Sequence, residues 1–274
     1  MNLKNSENLL YAVAVEPTPV FNTPDYPESF GCSDGMTLKL DNEGLFRDLE
    51  YIAFTGTVFT ILKTLDRRDY KIYNVVAEDY NYEAKLYIDS RFVNVSESKP
   101  HSHEKSLPSI KEKYDFLDKA IEAKYIWASN YIAGIDKLME FYPPKSEISE
   151  EIKDKWIFRG CDCSGLMYEA TNGWTERNTW KIINSGKPVD IEGMSAKEIK
   201  SKLKPLDAIV WNGHVIYVYD ENTAIQSALS RNGVIKTDLL ETIEQTMIKR
   251  KPVNDYDKSD GGRFVVKRWY PEQL

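Results

Sequence analysis

The chain has 274 residues, of which 42% are apolar and 29% charged, and its formal net charge at pH 7 is -7, a composition typical of globular proteins. No apolar run approaches the roughly 20 residues that a helix needs to cross a bilayer, so no membrane span is predicted. A negative chain without clustered Lys and Arg lacks the attraction that holds a phosphate backbone, which argues against nucleic acid as a partner. At roughly 100 to 200 residues per domain, this length predicts two domains.

The N-terminal region contains an apolar run at residues 9–15, at the lower length limit for the apolar core of a signal peptide. No basic segment precedes the run, because Lys4 is offset by Glu7, and prolines follow at Pro17 and Pro19. We therefore predict that the run is a β-strand. The lack of a convincing export signal predicts a cytoplasmic location, with a secreted or periplasmic location as the alternative.

Short β-like runs separated by turn-rich sequence extend over the first third of the chain. They lie at residues 11–15, 37–40, 57–62, 70–76 and 84–88. Short strands with frequent turns predict a small barrel. The segment 56–93, in which Leu86, Tyr87 and Ile88 form the last run, resembles a bacterial SH3-like domain. This resemblance implies an SH3-like β-barrel domain over residues 1–97.

Residues 98–108 are polar and without periodicity, and we predict that they form a linker, which holds two of the three histidines, His101 and His103. Apolar residues then recur at spacings of three and four from Ile110 to Ala128, which predicts an amphipathic helix. Strands are predicted at 209–219, 224–228 and 263–269, with a helix at 239–249. A helix followed by strands predicts an α+β domain over residues 109–274.

The sequence GCDCSG, at residues 160–165, carries two of the three cysteines, Cys161 and Cys163, and the third is Cys32. Three cysteines do not make a disulfide framework. Apolar residues at helical spacing after Cys163 place it at a helix N-terminus, where the dipole favours an anion. A thiol is a nucleophile as the thiolate. We therefore predict that Cys163 is a nucleophile held ionised, whereas Cys161 and Cys32 are core residues.

The third histidine, His214, lies in the apolar run AIVWNGHVIYVYD, which predicts a buried strand. An imidazole on this strand can accept the thiol proton and later return it to a leaving amine. Gln226 lies on the next predicted strand, after the turn signal DENT. A connection centred near Asp220 would put Gln226 opposite His214, where its amide oxygen can accept the other ring N–H.

Three motifs carry a resemblance to a known family: Asp-Cys-Ser-Gly at 162–165, Gly-His-Val at 213–215 and Ala-Ile-Gln-Ser at 224–227. Together they resemble the NlpC-type cell-wall peptidases, which are papain-like cysteine endopeptidases of bacteria. The resemblance implies a papain-like catalytic domain with Cys163 as nucleophile, His214 as base and Gln226 as the third member. The sequence YIWASN, at 125–130, resembles the family's Tyr-x-Trp-Gly-Gly motif, which implies an oxyanion role for Tyr125 and a substrate contact for Trp127.

The resemblance also implies a substrate. Family enzymes hydrolyse peptidoglycan stem peptides, commonly between γ-D-glutamate and a diamino acid, without a metal or organic cofactor. In the branch with SH3-like domains, the residues flanking the cysteine, here Asp162 and Ser164, contact the amine end of the substrate. Contacts from the SH3-like domain are expected from tyrosines, and the candidates are Tyr80, Tyr82 and Tyr87. The sequence makes no prediction of oligomeric state.

Three alternatives remain open at the level of the sequence. The chain can be a wall-peptide-binding protein that has lost activity, since the Gly-Gly pair is replaced by Ala128 and Ser129. Cys-x-Cys with His-x-His elsewhere can instead be a zinc site, since thiolates and imidazoles are the usual zinc ligands. Arg177 is either a contact for a substrate carboxylate or a surface arginine, and a surface position is the expectation.

Overall fold

A computed structural model describes residues 9–80, 82–102, 105–256 and 262–271. The chain divides into two compact units, Met1–Lys105 with Ile126–Gly160 and Ser106–Tyr125 with Cys161–Leu274. The first crossing point falls in the predicted linker. The sequence placed all of 109–274 in one domain, whereas the segment Ile126–Gly160 groups with the N-terminal unit.

The described residues form the following strands: β1 (Leu10–Ala14), β2 (Thr18–Phe21), β3 (Phe30–Gly31), β4 (Thr37–Leu38), β5 (Leu49–Ala53), β6 (Val58–Asp66), β7 (Lys71–Ala77), β8 (Leu86–Asp89), β9 (Val93–Ser96), β10 (Asn130–Tyr131), β11 (Gly160–Cys161), β12 (Lys187–Val189), β13 (Ala208–Trp211), β14 (His214–Val218), β15 (Thr223–Ala228), β16 (Gly233–Asp238), β17 (Lys251–Pro252) and β18 (Arg263–Arg268). The α-helices are α1 (Tyr26–Ser29), α2 (Ile110–Lys119), α3 (Lys137–Phe141), α4 (Glu150–Trp156), α5 (Cys163–Ala170), α6 (Thr179–Ile182), α7 (Ala196–Lys202) and α8 (Leu239–Lys249). None of these helices is both long and apolar enough to cross a membrane.

The first unit is built on a seven-stranded antiparallel sheet in the order β5-β2-β8-β7-β6-β1-β9. Among the described residues this path is open, because its end strands β5 and β9 are not hydrogen-bonded to each other. A closed barrel is therefore not seen. The predicted strands at 11–15, 57–62, 70–76 and 84–88 correspond to β1, β6, β7 and β8, and the SH3-like assignment remains a proposal.

Aromatic packing explains why residues 126–160 group with the first unit. The ring of Phe158 lies 5.1 Å from that of Phe46, and Trp156 lies 5.7 Å from Phe30, measured between centroids. These four side chains belong to one buried cluster. Burying a large aromatic side chain stabilises a protein by about 1.5–3 kcal/mol, so separating the segment from this cluster would be costly.

The second unit is built on a sheet in the order β12-β18-β13-β14-β15-β16, in which the neighbouring strands are antiparallel and β17 adds to β18 in parallel. Helix α5 packs against β14 and β15. Ile216 and Ala224, from these same two strands, lie in a core cluster with Leu239 and Ile243 of α8. The strands are therefore covered by α5 on one face and by α8 on the other, which gives this unit a mixed α/β fold.

The helix predicted from Ile110 to Ala128 is wrong in its C-terminal half, since α2 ends at Lys119. Glu122 has a φ of 69°, which a helix does not accommodate. The Glu122 N–H donates to the carbonyl oxygen of Val234 at 3.1 Å, so the chain bonds to the edge of β16 where the sequence predicted more helix. Tertiary pairing overrides the local apolar spacing in this segment.

Candidate active site

Helix α5 begins at Cys163 because the preceding residue caps it. The Asp162 carboxylate accepts a hydrogen bond from the Gly165 N–H at 2.6 Å, which satisfies one of the free donors of the first turn. Leu166, Met167 and Ala170 follow at helical spacing and are buried. The cap and the apolar face fix the position of the Cys163 side chain, as the sequence predicts.

The helix that carries the thiol packs against two strands that pair over a short length only. Strands β14 and β15 pair at Val218–Ala224 and Tyr217–Ile225, and the pairing goes no further toward His214. The Val218 N–H donates to the carbonyl of Asp207, the residue before β13, and N–H groups alternate along a strand, so the Val215 N–H points to the β15 side. The Val215 N–H lies close enough to the Cys163 sulfur to lower the pKa of the thiol.

His214 and Gln226 are joined by a hydrogen bond of 2.7 Å between Nε2 and Oε1. An amide oxygen only accepts, so the ring carries its proton on Nε2 and leaves the Nδ1 lone pair free. The predicted contact between the two side chains is present, but Gln226 is not directly opposite His214 as the sequence predicted. Tyr217 pairs with Ile225, so the bond runs diagonally from β14 to β15. It joins the two strands against which α5 packs.

The protonation states differ from the prediction of a stable thiolate. Burial, followed by the charge of Asp162, raises the pKa of Cys163 to about 12. This pKa is lowered by the N–H groups of Val215 and Ser164 and by the Arg177 guanidinium, but the net shift is upward. Burial also lowers the pKa of His214. The resting pair at neutral pH is therefore a thiol and a neutral imidazole.

Arg177 is buried rather than on the surface, with 4% of its area exposed, so that expectation is wrong. Its guanidinium donates to both carboxylate oxygens of Asp162, at 3.0 and 2.8 Å, and to the Ser164 hydroxyl at 3.0 Å. A forked contact of this kind is the strong geometry for an arginine and a carboxylate. The charge of Asp162 is thus already compensated within the protein.

The two other cysteines differ from each other. Cys161 is fully buried, its carbonyl accepts from the Ser227 hydroxyl at 2.6 Å, and burial raises its pKa, in agreement with a core residue. Cys32 is exposed, so its assignment to the core is wrong. Its φ of 43° marks a turn rather than a packed element.

The remaining predicted site residues fall in both units. In the second unit, the Tyr125 N–H donates to the Asn232 carbonyl at 3.3 Å, and Tyr125 forms a bridge with Cys161. In the first unit, the Arg47 guanidinium lies 3.9 Å over the Trp127 ring, and the Tyr87 carbonyl accepts from Tyr26. The structure places Asp162 and Ser164 beside Cys163 at the start of α5, which packs against β14 and β15, and it joins His214 of β14 to Gln226 of β15.

The remaining candidates are two tyrosines of the first unit and the predicted zinc ligands. Tyr80 stacks on Tyr51 with ring centroids 4.2 Å apart, and Tyr82 lies 5.7 Å from Tyr80. Of the predicted zinc ligands, His103 lies outside the described residues. Within the described ranges, no three His, Cys, Asp or Glu side chains are arranged to hold a metal ion.

Two groups near the site were missed by the sequence reasoning. The Tyr217 hydroxyl is buried without a hydrogen-bond partner in the described part of the chain, and the charge of Cys163 contributes to its raised pKa after burial. Trp211 lies with its ring 5.2 Å from the His214 ring. The sequence signal for Trp211 was its position two residues before Gly213. A residue at the end of a strand, beside the base, is expected to line a cleft.

Comparisons with known proteins give structural neighbours only. No family model and no curated protein matches the chain. The chain is similar to an NlpC/P60 family protein from Bacillus cereus, at 13% identity and a TM-score of 0.37 over 96% of this chain and 64% of that one. It is also similar to NlpC1 from Trichomonas vaginalis (12%, TM-score 0.34, 95% and 69%) and NlpC2 from the same organism (15%, TM-score 0.31, 95% and 72%). The chain thus spans less than two thirds of the Bacillus cereus protein.

Proposed function

We propose that this chain is a cysteine endopeptidase in which Cys163 is the nucleophile, His214 the general base and Gln226 the residue that orients the base. One observation carries the proposal. The N–H of Val215, the residue after His214, lowers the pKa of the Cys163 thiol, and His214 is hydrogen-bonded to Gln226 on the neighbouring strand. A nucleophile beside the strand that carries the base, with the base hydrogen-bonded to an orienting group, is the arrangement that this class of site requires.

The chemistry follows from the resting protonation states. A thiol with a raised pKa provides few thiolates at neutral pH, so the proton must leave as the sulfur attacks. Nδ1 of His214 takes that proton while the sulfur bonds to the substrate carbonyl carbon. The imidazolium then protonates the leaving amine as the C–N bond breaks, which yields a thioester on Cys163. Water, deprotonated by His214, hydrolyses the thioester and restores the thiol.

The oxyanion of the tetrahedral intermediate needs donors near the sulfur. We assign this role to the backbone N–H groups at the start of α5, one of which, from Ser164, lowers the pKa of the thiol. The Tyr125 hydroxyl is a second candidate by resemblance to the NlpC-type motif. Preorganised donors of this kind are worth about 3–4 kcal/mol each in transition-state stabilisation.

For the substrate, we propose peptidoglycan-derived peptides and, within them, the bond from γ-D-glutamate to a diamino acid. The Asp-Cys-Ser-Gly and Gly-His-Val motifs support this assignment through their resemblance to NlpC-type peptidases. Under the same proposal, the N-terminal region is an SH3-like domain, and Tyr87 and Trp127 contact the substrate. Asp162 and Ser164 remain candidates for the substrate amine, where Asp162 would share its carboxylate with Arg177.

The experiment compares Cys163→Ala with the unchanged chain on γ-D-glutamyl-L-lysine and γ-D-glutamyl-diaminopimelate peptides. We expect the substitution to lower the rate by more than about a thousandfold, since a missing nucleophile leaves only binding and oxyanion stabilisation. Cys32→Ala, which removes an exposed thiol, is the matched control and should keep full activity. Undiminished hydrolysis by Cys163→Ala would rule out the mechanism.

A second candidate is a wall-peptide-binding protein without catalysis. The raised pKa of Cys163 and the internal pairing of Asp162 with Arg177 are the observations that favour it. Mass spectrometry of the intact chain after mixing with a slowly hydrolysed peptide ester separates the two candidates. An enzyme accumulates an acyl adduct on Cys163, whereas a binding protein retains its unmodified mass.

A further inference from the structure

The imidazole and amide of the proposed site form one wall of a cavity in the second unit. The cavity has a volume of about 1040 Å³ and is lined by residues of β13 to β16 and α8, among them His214, Gln226, Trp211 and Arg250. The imidazole of His214, which is half-buried, is part of the cavity lining. A ligand in this cavity would therefore contact the proposed base directly.

Trp211 connects the imidazole to a cation. Its ring lies 5.2 Å from the His214 ring, and the Arg250 guanidinium carbon lies 4.2 Å over the same indole. Stacking on an indole holds a guanidinium in place by cation–π attraction while its N–H fork stays available. The cation therefore lies about one indole away from the imidazole, and its charge contributes to the lowered pKa of His214, after burial.

The Arg250 guanidinium has no acidic partner among the described residues. Its Nε is buried and makes no hydrogen bond there. Of the carboxylates lining the cavity, Asp238 is occupied as the N-cap of α8, where it accepts from the Glu241 N–H at 2.8 Å. A buried N–H of a charged group without an acceptor is costly, and a ligand acceptor removes that cost.

Comparison with Arg177 indicates which of the two arginines can bind a substrate carboxylate. The sequence offered Arg177 as the contact for a substrate carboxylate, but its guanidinium is already paired with Asp162 inside the protein. Arg250, by contrast, lines a cavity, and its guanidinium has no acidic partner among the described residues. A planar carboxylate that accepts two parallel N–H bonds fits such a fork.

We propose that Arg250 is a specificity-determining residue that binds a carboxylate of the peptide substrate beside the scissile bond. The inference rests on the proposed function and deepens it. In a γ-D-glutamyl peptide, a short aliphatic chain separates the α-carboxylate from the scissile carbonyl. The indole of Trp211 provides an apolar surface for that chain, between the guanidinium that binds the carboxylate and the imidazole that serves the carbonyl.

The test uses the full chain carrying Cys163→Ala, so that binding is measured without hydrolysis. The two ligands are γ-D-glutamyl-L-lysine and the same dipeptide with its glutamate α-carboxylate converted to a carboxamide, titrated by calorimetry. We expect the carboxylate form to bind about tenfold more tightly, as a charge-assisted hydrogen bond provides. Adding Arg250→Met should abolish this preference, and Arg250→Lys should retain part of it.

Lys197→Ala removes an exposed cation on α7 and is the matched control, which should leave the preference intact. Thermal unfolding of each variant shows whether it is folded. Equal binding of the two ligands, a preference that survives Arg250→Met, or no binding of either ligand would overturn the assignment. Should the preference depend on Arg250 while the unchanged chain cleaves no peptide, the carboxylate site stands and the peptidase proposal fails.

Discussion

The two sides of strand β14 differ in how completely their charged groups are paired. On the side of α5, Asp162 accepts from Gly165, Ser164 and Arg177, so the charged groups around the thiol are paired within the protein. On the side of α8, the imidazole is bonded to a single amide and Arg250 has no acidic partner in the described ranges. Fully paired networks keep their side chains in fixed positions, whereas a ligand can supply the partner that an unsatisfied group lacks.

This difference assigns separate tasks to the two sides. The α5 side fixes where the sulfur lies, because each of its polar contacts restrains the first turn of the helix. The α8 side has the space and the open donors that recognition requires. Substitutions of the paired groups on the α5 side should therefore affect stability, and substitutions on the α8 side should affect turnover or affinity. Three experiments test this difference.

The largest effect is expected from Arg177→Leu, which leaves the Asp162 carboxylate buried without its cation. Removing one partner of a buried ion pair typically costs about 3–5 kcal/mol in the free energy of unfolding. Urea denaturation measures this loss. Adding Asp162→Asn should recover part of it, because the uncompensated charge is then gone, and Arg231→Leu, at an exposed position, should change stability by less than about 0.5 kcal/mol.

A loss below about 1 kcal/mol in Arg177→Leu would contradict the assignment of the α5 side as the rigid one. It would mean that water or a rearranged side chain compensates Asp162. The ion pair would then be a surface-like contact, for which values of about 0–1 kcal/mol are usual.

Local features of the sequence were sufficient for the nucleophile side. The cap by Asp162 and the apolar spacing after Cys163 concern adjacent residues, so the start of α5 was predictable. The link between His214 and Gln226 also followed from strand periodicity and one turn signal. Its diagonal register did not, because it depends on where β14 and β15 stop pairing.

Properties that depend on distant residues could not be predicted. The pKa of Cys163 is set by burial, which the sequence around it does not encode, so the predicted thiolate was wrong. Trp211 and Arg250 approach each other only because β13 and the end of α8 line one cavity. The early end of α2 has the same origin, since the carbonyl that receives the Glu122 N–H belongs to Val234.

An intermediate effect is expected from Gln226→Ala on the α8 side. Losing the hydrogen bond that fixes the imidazole should lower kcat about fivefold, since such a bond contributes about 1 kcal/mol. That bond also raises the pKa of His214, so without it the acidic limb of the kcat/KM profile should move to lower pH. Steady-state kinetics from pH 4 to 8 tests both, and Gln226→His, which keeps an acceptor, should retain more activity. An acidic limb that moves upward would show that the amide does not serve the base.

The smallest effect concerns the pH dependence of stability and returns to the α5 side. The folded-state pKa of Cys163 is about 12, above the roughly 8.5 of an unfolded cysteine. The folded chain therefore binds more protons than the unfolded one at alkaline pH, so this group's stabilisation is complete below pH 8.5 and is lost as pH rises toward 12. Between pH 8.5 and 9.5 the loss amounts to about 1 kcal/mol.

Denaturation at these two pH values should show about 1 kcal/mol less alkaline destabilisation in Cys163→Ala than in the unchanged chain, while Cys32→Ala should follow the unchanged chain. Parallel curves for Cys163→Ala and the unchanged chain would mean that the thiol ionises as easily in the folded protein as in the unfolded one. The sulfur would then be solvated, and the closed character of the α5 side would have to be abandoned.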